Sequence, residues 1–192
     1  PLRVVIEYVS ANPVHPLHVG AGRNAVLGNA LYRMLSRAGH IVQRRFYIND
    51  VGRQTAVLAL GFKLLGEEPP ENVKPDHWAG MLYAATNILI DISNLKKRML
   101  QASEEERREI LKKIDELLAD LARIRERAPD LVDKLIEEFN KLDDPEREVR
   151  EIMKKYEQKE LETVNLVRRV VSKVMRGFDE TLKKLGVAFD VW

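Results

Sequence analysis

Leu2–Val9, LRVVIEYV, followed by Ser10–Gly22, SANPVHPLHVGAG, is the stretch that decides the fold. The first run is short, apolar and rich in β-branched residues, which is typical of a buried strand. The second run contains Pro, Gly and His and is typical of a loop. Apolar residues then recur at helical spacing over Arg23–Ala38, and Gly39 marks the end of that helix. The order predicts a strand that leads through a loop into a helix.

A second strand and a second helix follow directly. His40–Ile48, HIVQRRFYI, has the composition of a strand, and after the turn Asn49–Gly52 a helix is predicted over Arg53–Leu65. Strand, helix and strand in succession form a βαβ unit, in which the strands are parallel and the crossover is right-handed. Residues 1–65 are therefore predicted to be the first half of a nucleotide-binding α/β domain.

The chain after this unit is predicted to be mainly helical. A polar, proline-bearing connection, Gly66–Pro75, precedes an amphipathic helix over Trp78–Ile92, and Ser103–Glu106 forms a capping box. Apolar residues then recur at spacings of three and four from Ile110 to Ile124, which indicates that this helix packs against another helix. Residues 128–130 break the pattern before the next helix begins.

One long helical pattern is predicted over Glu146–Leu185, and after Gly186 a new strand begins at Val187–Val191. We therefore expect a helical insertion over residues 66–175 and a return to the sheet over residues 176–192. The predicted fold class is α/β, a partial Rossmann-like nucleotide-binding fold with a parallel sheet and a large α-helical insertion. Both ends of the chain look truncated, so we expect it to be part of a longer protein.

Composition limits the possible classes of protein. The 192 residues are 45% hydrophobic and 32% charged, which favours a folded, soluble protein. No signal peptide is visible, so a cytoplasmic protein is expected. There are no cysteines, and the four histidines lack metal-ligand spacing, so no structural metal is expected. The net charge of +2 does not indicate binding to nucleic acid through bulk charge. No apolar run approaches the roughly 20 residues that span a membrane, so no membrane contact is expected.

The turn between the first strand and the first helix is the candidate ligand site. Ligands of open parallel sheets bind beyond the carboxyl ends of the strands, and a helix N-terminus offers N–H groups and a positive dipole to phosphate. Gly20 and Gly22 lack a Cβ, so a nucleotide can approach the backbone closely there. His18 adds a side-chain donor for phosphate oxygens. The alternative is that His18 only caps the turn.

The runs Ile6–Asn24, IEYVSANPVHPLHVGAGRN, and Phe46–Gln54, FYINDVGRQ, resemble the signature region of arginyl-tRNA synthetases, and of the archaeal type in particular. Residues 18–21, HVGA, match the HIGH element of these class I enzymes. Residues 66–78 and 177–192 are similar as well. The resemblance is strong over residues 3–84 and 176–192 and weak over the charged residues 93–160.

The resemblance implies roles for individual residues. His18 and Gly20 would act in catalysis and lie on ATP, with Pro16 shaping the turn and Gly22 nearby. Glu7, Ser10 and Asn12 would contact bound arginine. The implied motif region consists of Ala11, Asn12, Pro13, Val14, His15, Pro16, Leu17, His18, Val19, Gly20 and Ala21.

The role implied for Glu7 agrees with its chemistry. A carboxylate is a natural partner for the guanidinium of arginine. A carboxylate in an otherwise apolar strand is also costly to bury unless it has a partner. The alternative is that Glu7 pairs with one of the nearby arginines.

Two features depart from the family pattern. Ala21 stands where many members have a second histidine, so we assign it no chemical role. The lysine-bearing KMSKS signature that the resemblance implies does not occur in these residues. This chain is therefore expected to hold one half of a catalytic domain and to be inactive alone.

The implied function is that of an arginine–tRNA ligase. It would activate L-arginine with ATP and Mg²⁺ to arginyl-adenylate and transfer arginine to the 3′ end of tRNA(Arg). The sequence does not determine the oligomeric state, and a monomer is expected. Two alternatives stay open: another class I synthetase or nucleotidyltransferase with a HIGH-type turn, and a catalytically silent module that binds nucleotide or tRNA.

Overall fold

A computed structural model describes all residues from 1 to 192. It has two strands and seven helices, in the order of one βαβ unit followed by six helices. The elements are β1 Arg3–Glu7, α1 Val19–Arg37, β2 Ile41–Arg45, α2 Arg53–Leu65, α3 Pro75–Met99, α4 Glu104–Arg127, α5 Pro129–Phe139, α6 Pro145–Glu157 and α7 Leu161–Lys184. The predicted α/β class, with a parallel sheet and a large helical segment, is confirmed.

The sheet consists of β1 and β2, which pair in parallel from Arg3 opposite Ile41 to Glu7 opposite Arg45. The strand predicted over Val187–Val191 is reduced to one parallel bridge between Val191 and Arg45. The Asp190 side chain explains the reduction, because its Oδ2 accepts the Arg44 backbone N–H at 2.8 Å. The Asp190 carboxylate thus accepts the hydrogen bond that a backbone carbonyl of a third strand would otherwise accept.

Helix α1 packs on the sheet through its small residues. Ala21, Ala25 and Gly28 are buried, and a Cβ added at Gly28 would come within 2.2 Å of the Tyr8 ring. The bulky apolar residues whose spacing predicted the helix are exposed instead: Val26, Leu27, Leu31 and Met34. When two faces of a helix could pack, the face that lets the helix lie closest to the sheet is buried. In α1 this is the face with Gly28, which has no side chain to hold the helix away from Tyr8.

The helix boundaries show where the sequence predictions succeed and fail. Helix α2 has the predicted bounds, between Gly52 and Gly66, whose φ angles are 95° and 66°. Helix α1 begins at Val19 rather than Arg23, so Gly20 and Gly22 lie in its first turns and not in a loop.

The single long helix predicted over Glu146–Leu185 is wrong, because α6 and α7 are separated at residues 158–160. Lys159 has a φ of 59°, a left-handed conformation that stops a helix even without glycine. The Glu160 side chain then accepts the Thr163 N–H and caps α7.

The helices after β2 pack directly on the βαβ unit. One cluster of 33 buried residues extends from Ile6 in β1 to Val187 and includes residues of α2, α3, α5, α6 and α7. The predicted capping box at Ser103 is present. Of the predicted stripe in α4, Ile110 and Ile114 pack against Ile92 of α3, which confirms that the stripe serves helix packing.

A buried ion pair joins the start of α3 to α7. The Asp76 side chain is fully buried, and Lys74 Nζ lies 2.7 Å from Asp76 Oδ2, from the Gly177 carbonyl oxygen and from Thr181 Oγ1. Gly177 provides the space, since a Cβ there would come within 2.3 Å of Asp76. The contact joins residues that are about a hundred positions apart in the sequence.

We expect Asp76→Ala to lower the free energy of unfolding by roughly 2–3 kcal/mol, because it leaves the Lys74 ammonium without its carboxylate. The value is below that of a fully buried pair because Lys74 is 24% exposed. Asp179→Ala, which removes an exposed pair with Lys183, should cost under about 0.5 kcal/mol. Urea denaturation followed by circular dichroism measures both, and equal losses would contradict this role for Asp76.

Candidate functional site

A strained turn ends β1. The Ser10 N–H donates to the Tyr8 carbonyl at 3.0 Å, and Val9 between them has a φ of 67°, so these residues form a γ-turn. A β-branched residue rarely adopts this conformation, which costs on the order of 1–3 kcal/mol. Beyond the turn, Ser10 Oγ accepts the Tyr47 N–H at 3.0 Å. The end of β1 is thus joined to the residues that follow β2.

Asn12 is held by the turn after β2. Its Nδ2 donates to Gln54 Oε1 at 2.9 Å, and its Oδ1 accepts from Asn49 Nδ2 at 3.1 Å. A side-chain amide has two N–H donors and an oxygen with two lone pairs. One donor and one lone pair of Asn12 therefore stay available for a ligand.

His18 caps α1. Its Nδ1 accepts the Gly20 N–H at 3.0 Å, and its backbone is extended, as at a helix N-cap. In the neutral ring this hydrogen bond assigns the proton to Nε2. The capping role considered as an alternative is therefore real, and it also leaves an Nε2–H donor on an exposed side chain.

The two glycines of α1 differ in what surrounds them. A Cβ added at Gly20 would lie 2.8 Å from His18 Cε1, so glycine is what allows the imidazole to lie over the first turn. A Cβ at Gly22 would meet nothing within 4 Å. The first turn of α1 contains no acidic residue, so its positive dipole end is not neutralised by the helix itself.

The loop before His18 packs against α3. His15 Nδ1–H donates to the Pro16 carbonyl at 2.9 Å, and the His15 ring lies 6.1 Å from the His18 ring. A Cβ at Gly80 of α3 would come within 2.7 Å of Pro16 Cδ, so the loop and the helix are in close contact. Among the other motif residues, Val19 is 90% exposed. The rest are buried or half-buried packing positions: Ala11, Pro13, Val14, Leu17 and Ala21.

Glu7 lies in a different environment from the one predicted. It is exposed at the end of β1, on the same face as Arg3 and Val5, so the expected burial cost does not arise. It lies opposite Arg45 in the strand register but makes none of the ion pairs in the structure, so the alternative of an arginine partner is not found. Arg45 Nε instead donates to Gln43 Oε1 at 2.8 Å.

The contacts that hold the turn after β2 were not predicted from the sequence. Tyr156 OH, at the end of α6, donates to Asp50 Oδ2 at 2.8 Å. Burial, together with this hydrogen bond and the charge of Asp50, raises the pKa of Tyr156 to about 12. The Arg53 guanidinium donates to Glu146 Oε2 at 3.1 Å and to Asn87 Oδ1 at 3.0 Å. No local pattern in the sequence indicates these partners.

A cleft of about 650 Å³ lies between the end of β2 and α7. Its lining includes Ile48, Asp50, Met175, Arg176 and Trp192, and none of the predicted site residues. No group of three or more acidic or histidine side chains is arranged to hold a metal ion. None of the helices combines the length and the apolar character needed to cross a membrane.

Residues 2–189 match the family described as tRNA synthetases class I (R), catalytic domain. The chain therefore belongs to the catalytic-domain family of class I tRNA synthetases. Within that class its relatives are of the arginine type, which confirms the resemblance seen in the sequence. It is 48% identical to the arginine–tRNA ligase of Sulfurisphaera tokodaii and 47% identical to that of Saccharolobus solfataricus.

Both alignments cover 99% of this chain and 31% of the relative, so the chain spans about a third of the length of the curated relatives it matches. Among solved structures, the arginyl-tRNA synthetase of Thermus thermophilus matches with a TM-score of 0.54 and 24% identity. That match covers 100% of this chain and 23% of the other. At this level of identity the likeness shows the fold.

Replacing each glycine of α1 by alanine tests the packing of the His18 ring. We expect Gly22→Ala to raise the free energy of unfolding by about 0.5 kcal/mol, since alanine favours helix and nothing obstructs it. Gly20→Ala should lower it by about 1 kcal/mol, because the imidazole must move and the cap is lost. Urea denaturation of both variants measures the two changes. Equal stability of the two variants would contradict the close contact between Gly20 and the His18 ring.

Proposed function

We propose that this chain carries part of the nucleotide-binding and arginine-binding site of an arginine–tRNA ligase. The reaction is the ATP-dependent activation of L-arginine to arginyl-adenylate and pyrophosphate, followed by transfer of arginine to the 3′ end of tRNA(Arg) in the cytoplasm. The observation that carries the proposal is that two binding features follow the parallel strand β1. One is the N-terminus of α1, which His18 caps, and the other is the side-chain amide of Asn12, which Asn49 and Gln54 hold in place. The names of the relatives support the choice of arginine.

The N-terminus of α1 suits the phosphates of ATP. Its dipole is not neutralised by acidic residues, and the His18 Nε2–H is a donor for a phosphate oxygen. Negative charge develops on the phosphates as pyrophosphate leaves, and donors already in place stabilise that charge. Mg²⁺ would accompany the phosphates of ATP, and the first turn of α1 offers no carboxylate that would hold it.

The carboxyl end of β1 suits the arginine substrate. Glu7 is an exposed carboxylate without an ion-pair partner, and a guanidinium can pair with it through two parallel hydrogen bonds. Asn12 retains one donor and one acceptor position. The Ser10 hydroxyl accepts the Tyr47 N–H with one lone pair, so its O–H donor and its second lone pair remain for a ligand.

We also propose the division of the chain into a catalytic-domain part, residues 1–65 and 176–192, and a helical insertion, residues 66–175. Two contacts support it. The Val191 bridge returns the chain to β2, and Lys74 joins the beginning of the insertion to α7. The insertion thus leaves and re-enters the catalytic part at neighbouring points.

Two substitutions at His18 separate its capping role from its proposed ATP role. Asparagine is a good N-cap but lacks the imidazole, so His18→Asn should keep stability and weaken binding of a non-hydrolysable arginyl-adenylate analogue by about tenfold. His18→Ala should weaken binding to the same extent and, in addition, lower the free energy of unfolding by about 1 kcal/mol. Isothermal titration calorimetry measures the affinity, with the lysyl analogue as the specificity control.

Preference for the lysyl analogue would contradict the choice of substrate. Wild-type affinity in His18→Asn would contradict the role of the imidazole. A folded chain that binds no adenylate but retards tRNA in a gel would favour the alternative of a silent binding module.

A further inference from the structure

The turn after β2 and the first two residues of α2, together Asn49–Gln54, are held from two sides by different side chains. Asn49 and Gln54 contact the Asn12 amide, at 3.1 and 2.9 Å. Asp50 and Arg53 face the other way and bind helix α6. The turn is therefore the direct link between α6 and the Asn12 amide.

The contacts with α6 lie at both of its ends. Glu146, in the first turn of α6, accepts from Arg53 Nη2 at 3.1 Å, and Tyr156, in the last turn, donates to Asp50 Oδ2 at 2.8 Å. The hydrogen bond from Arg53 lowers the pKa of Glu146, so the pair is charged at neutral pH. Helix α6 therefore contacts both ends of the turn, through side chains near both of its own ends.

Helix α3 completes the support. Asn87 of α3 accepts from Arg53 Nη1 at 3.0 Å, and Asn94 of the same helix donates to Glu146 Oε2 at 3.3 Å. Arg53 and Glu146 thus each have a partner of their own on α3, which ties the pair to that helix as well. Supporting contacts of this kind hold a ligand-binding side chain in one orientation.

We propose that Tyr156 and Glu146 are positioning residues for Asn12, and that α6 thereby sets the affinity of the site for arginine. This inference rests on the proposed function, which assigns Asn12 to the arginine substrate. A displacement of α6 must move Asp50 and Arg53, and with them the two side chains that orient Asn12. The helical insertion is thus linked to Asn12 by its hydrogen bonds to Asp50 and Arg53, whose chain neighbours Asn49 and Gln54 bind the Asn12 amide.

The test compares conservative variants on α6. Tyr156→Phe keeps the ring and removes the hydroxyl, and Glu146→Gln removes the charge that binds Arg53. Glu148→Gln is the matched control, because Glu148 lies two residues further on, is half-buried like Glu146 and pairs with Lys63 instead of the turn. The probes are the side-chain amide NMR signals of Asn12 in the ¹⁵N-labelled chain and the affinities for the arginyl-adenylate analogue and for ATP.

We expect the Asn12 amide signals to shift in Tyr156→Phe and Glu146→Gln and to stay in place in Glu148→Gln. Affinity for the arginyl-adenylate analogue should fall on the order of fivefold for each lost hydrogen bond, while ATP affinity is unchanged. Such a selective loss is not expected if α6 serves stability alone.

Unchanged Asn12 signals in the folded variants would overturn the proposal. An equal loss of affinity for ATP and for the analogue would also overturn it, since a general loosening of the fold would then explain both. If the wild-type chain binds no analogue, the proposed adenylate site on this chain is contradicted instead, while the family membership stands. The Asn12 signals need no ligand, so they decide the positioning role separately.

Discussion

The parallel pairing of β1 with β2 is the constraint on which the rest of the structure depends. Because the two strands run in the same direction, their carboxyl ends meet at one edge, where Ser10 binds the Tyr47 backbone and Asn12 reaches the turn after β2. The pairing requires α1 to cross over the sheet, and Gly28 lets that helix lie directly on Tyr8. One strand pairing therefore determines where both the Asn12 amide and the capped N-terminus of α1 lie.

Local signals predicted the elements, and long-range contacts decided their details. Both ends of α2 were predictable because Gly52 and Gly66 adopt the positive φ that favours glycine. The break between α6 and α7 was not, since the apolar spacing continues across Lys159 and neither glycine nor proline marks it. Periodicity identified α1 as a helix but could not say which face would pack, and the contact of Gly28 with Tyr8 decided that.

The site was predictable to the extent that its contacts are local. His18 and Gly20 are two residues apart, and the ring of one lies over the other, so their spacing carries the signal. Asn12 was singled out by the family resemblance, but its partners Asn49 and Gln54 lie 37 and 42 residues away. Tyr156 is 106 residues from Asp50 and has no sequence pattern that relates the two. The exposure of Glu7 was missed because valine occupies both faces of β1, as Val4 and Val5.

Backbone amide NMR during titration with a non-hydrolysable arginyl-adenylate analogue tests the location of the site most directly. A site at the strand ends predicts that the largest shifts occur at Ser10–Asn12 after β1 and at Gly20–Gly22 in the first turns of α1, with smaller shifts over Asn49–Gln54. These segments follow the two strand ends and the helix N-terminus that the parallel pairing brings together. Saturable shifts confined to α4 and α5, with none at these segments, would contradict it.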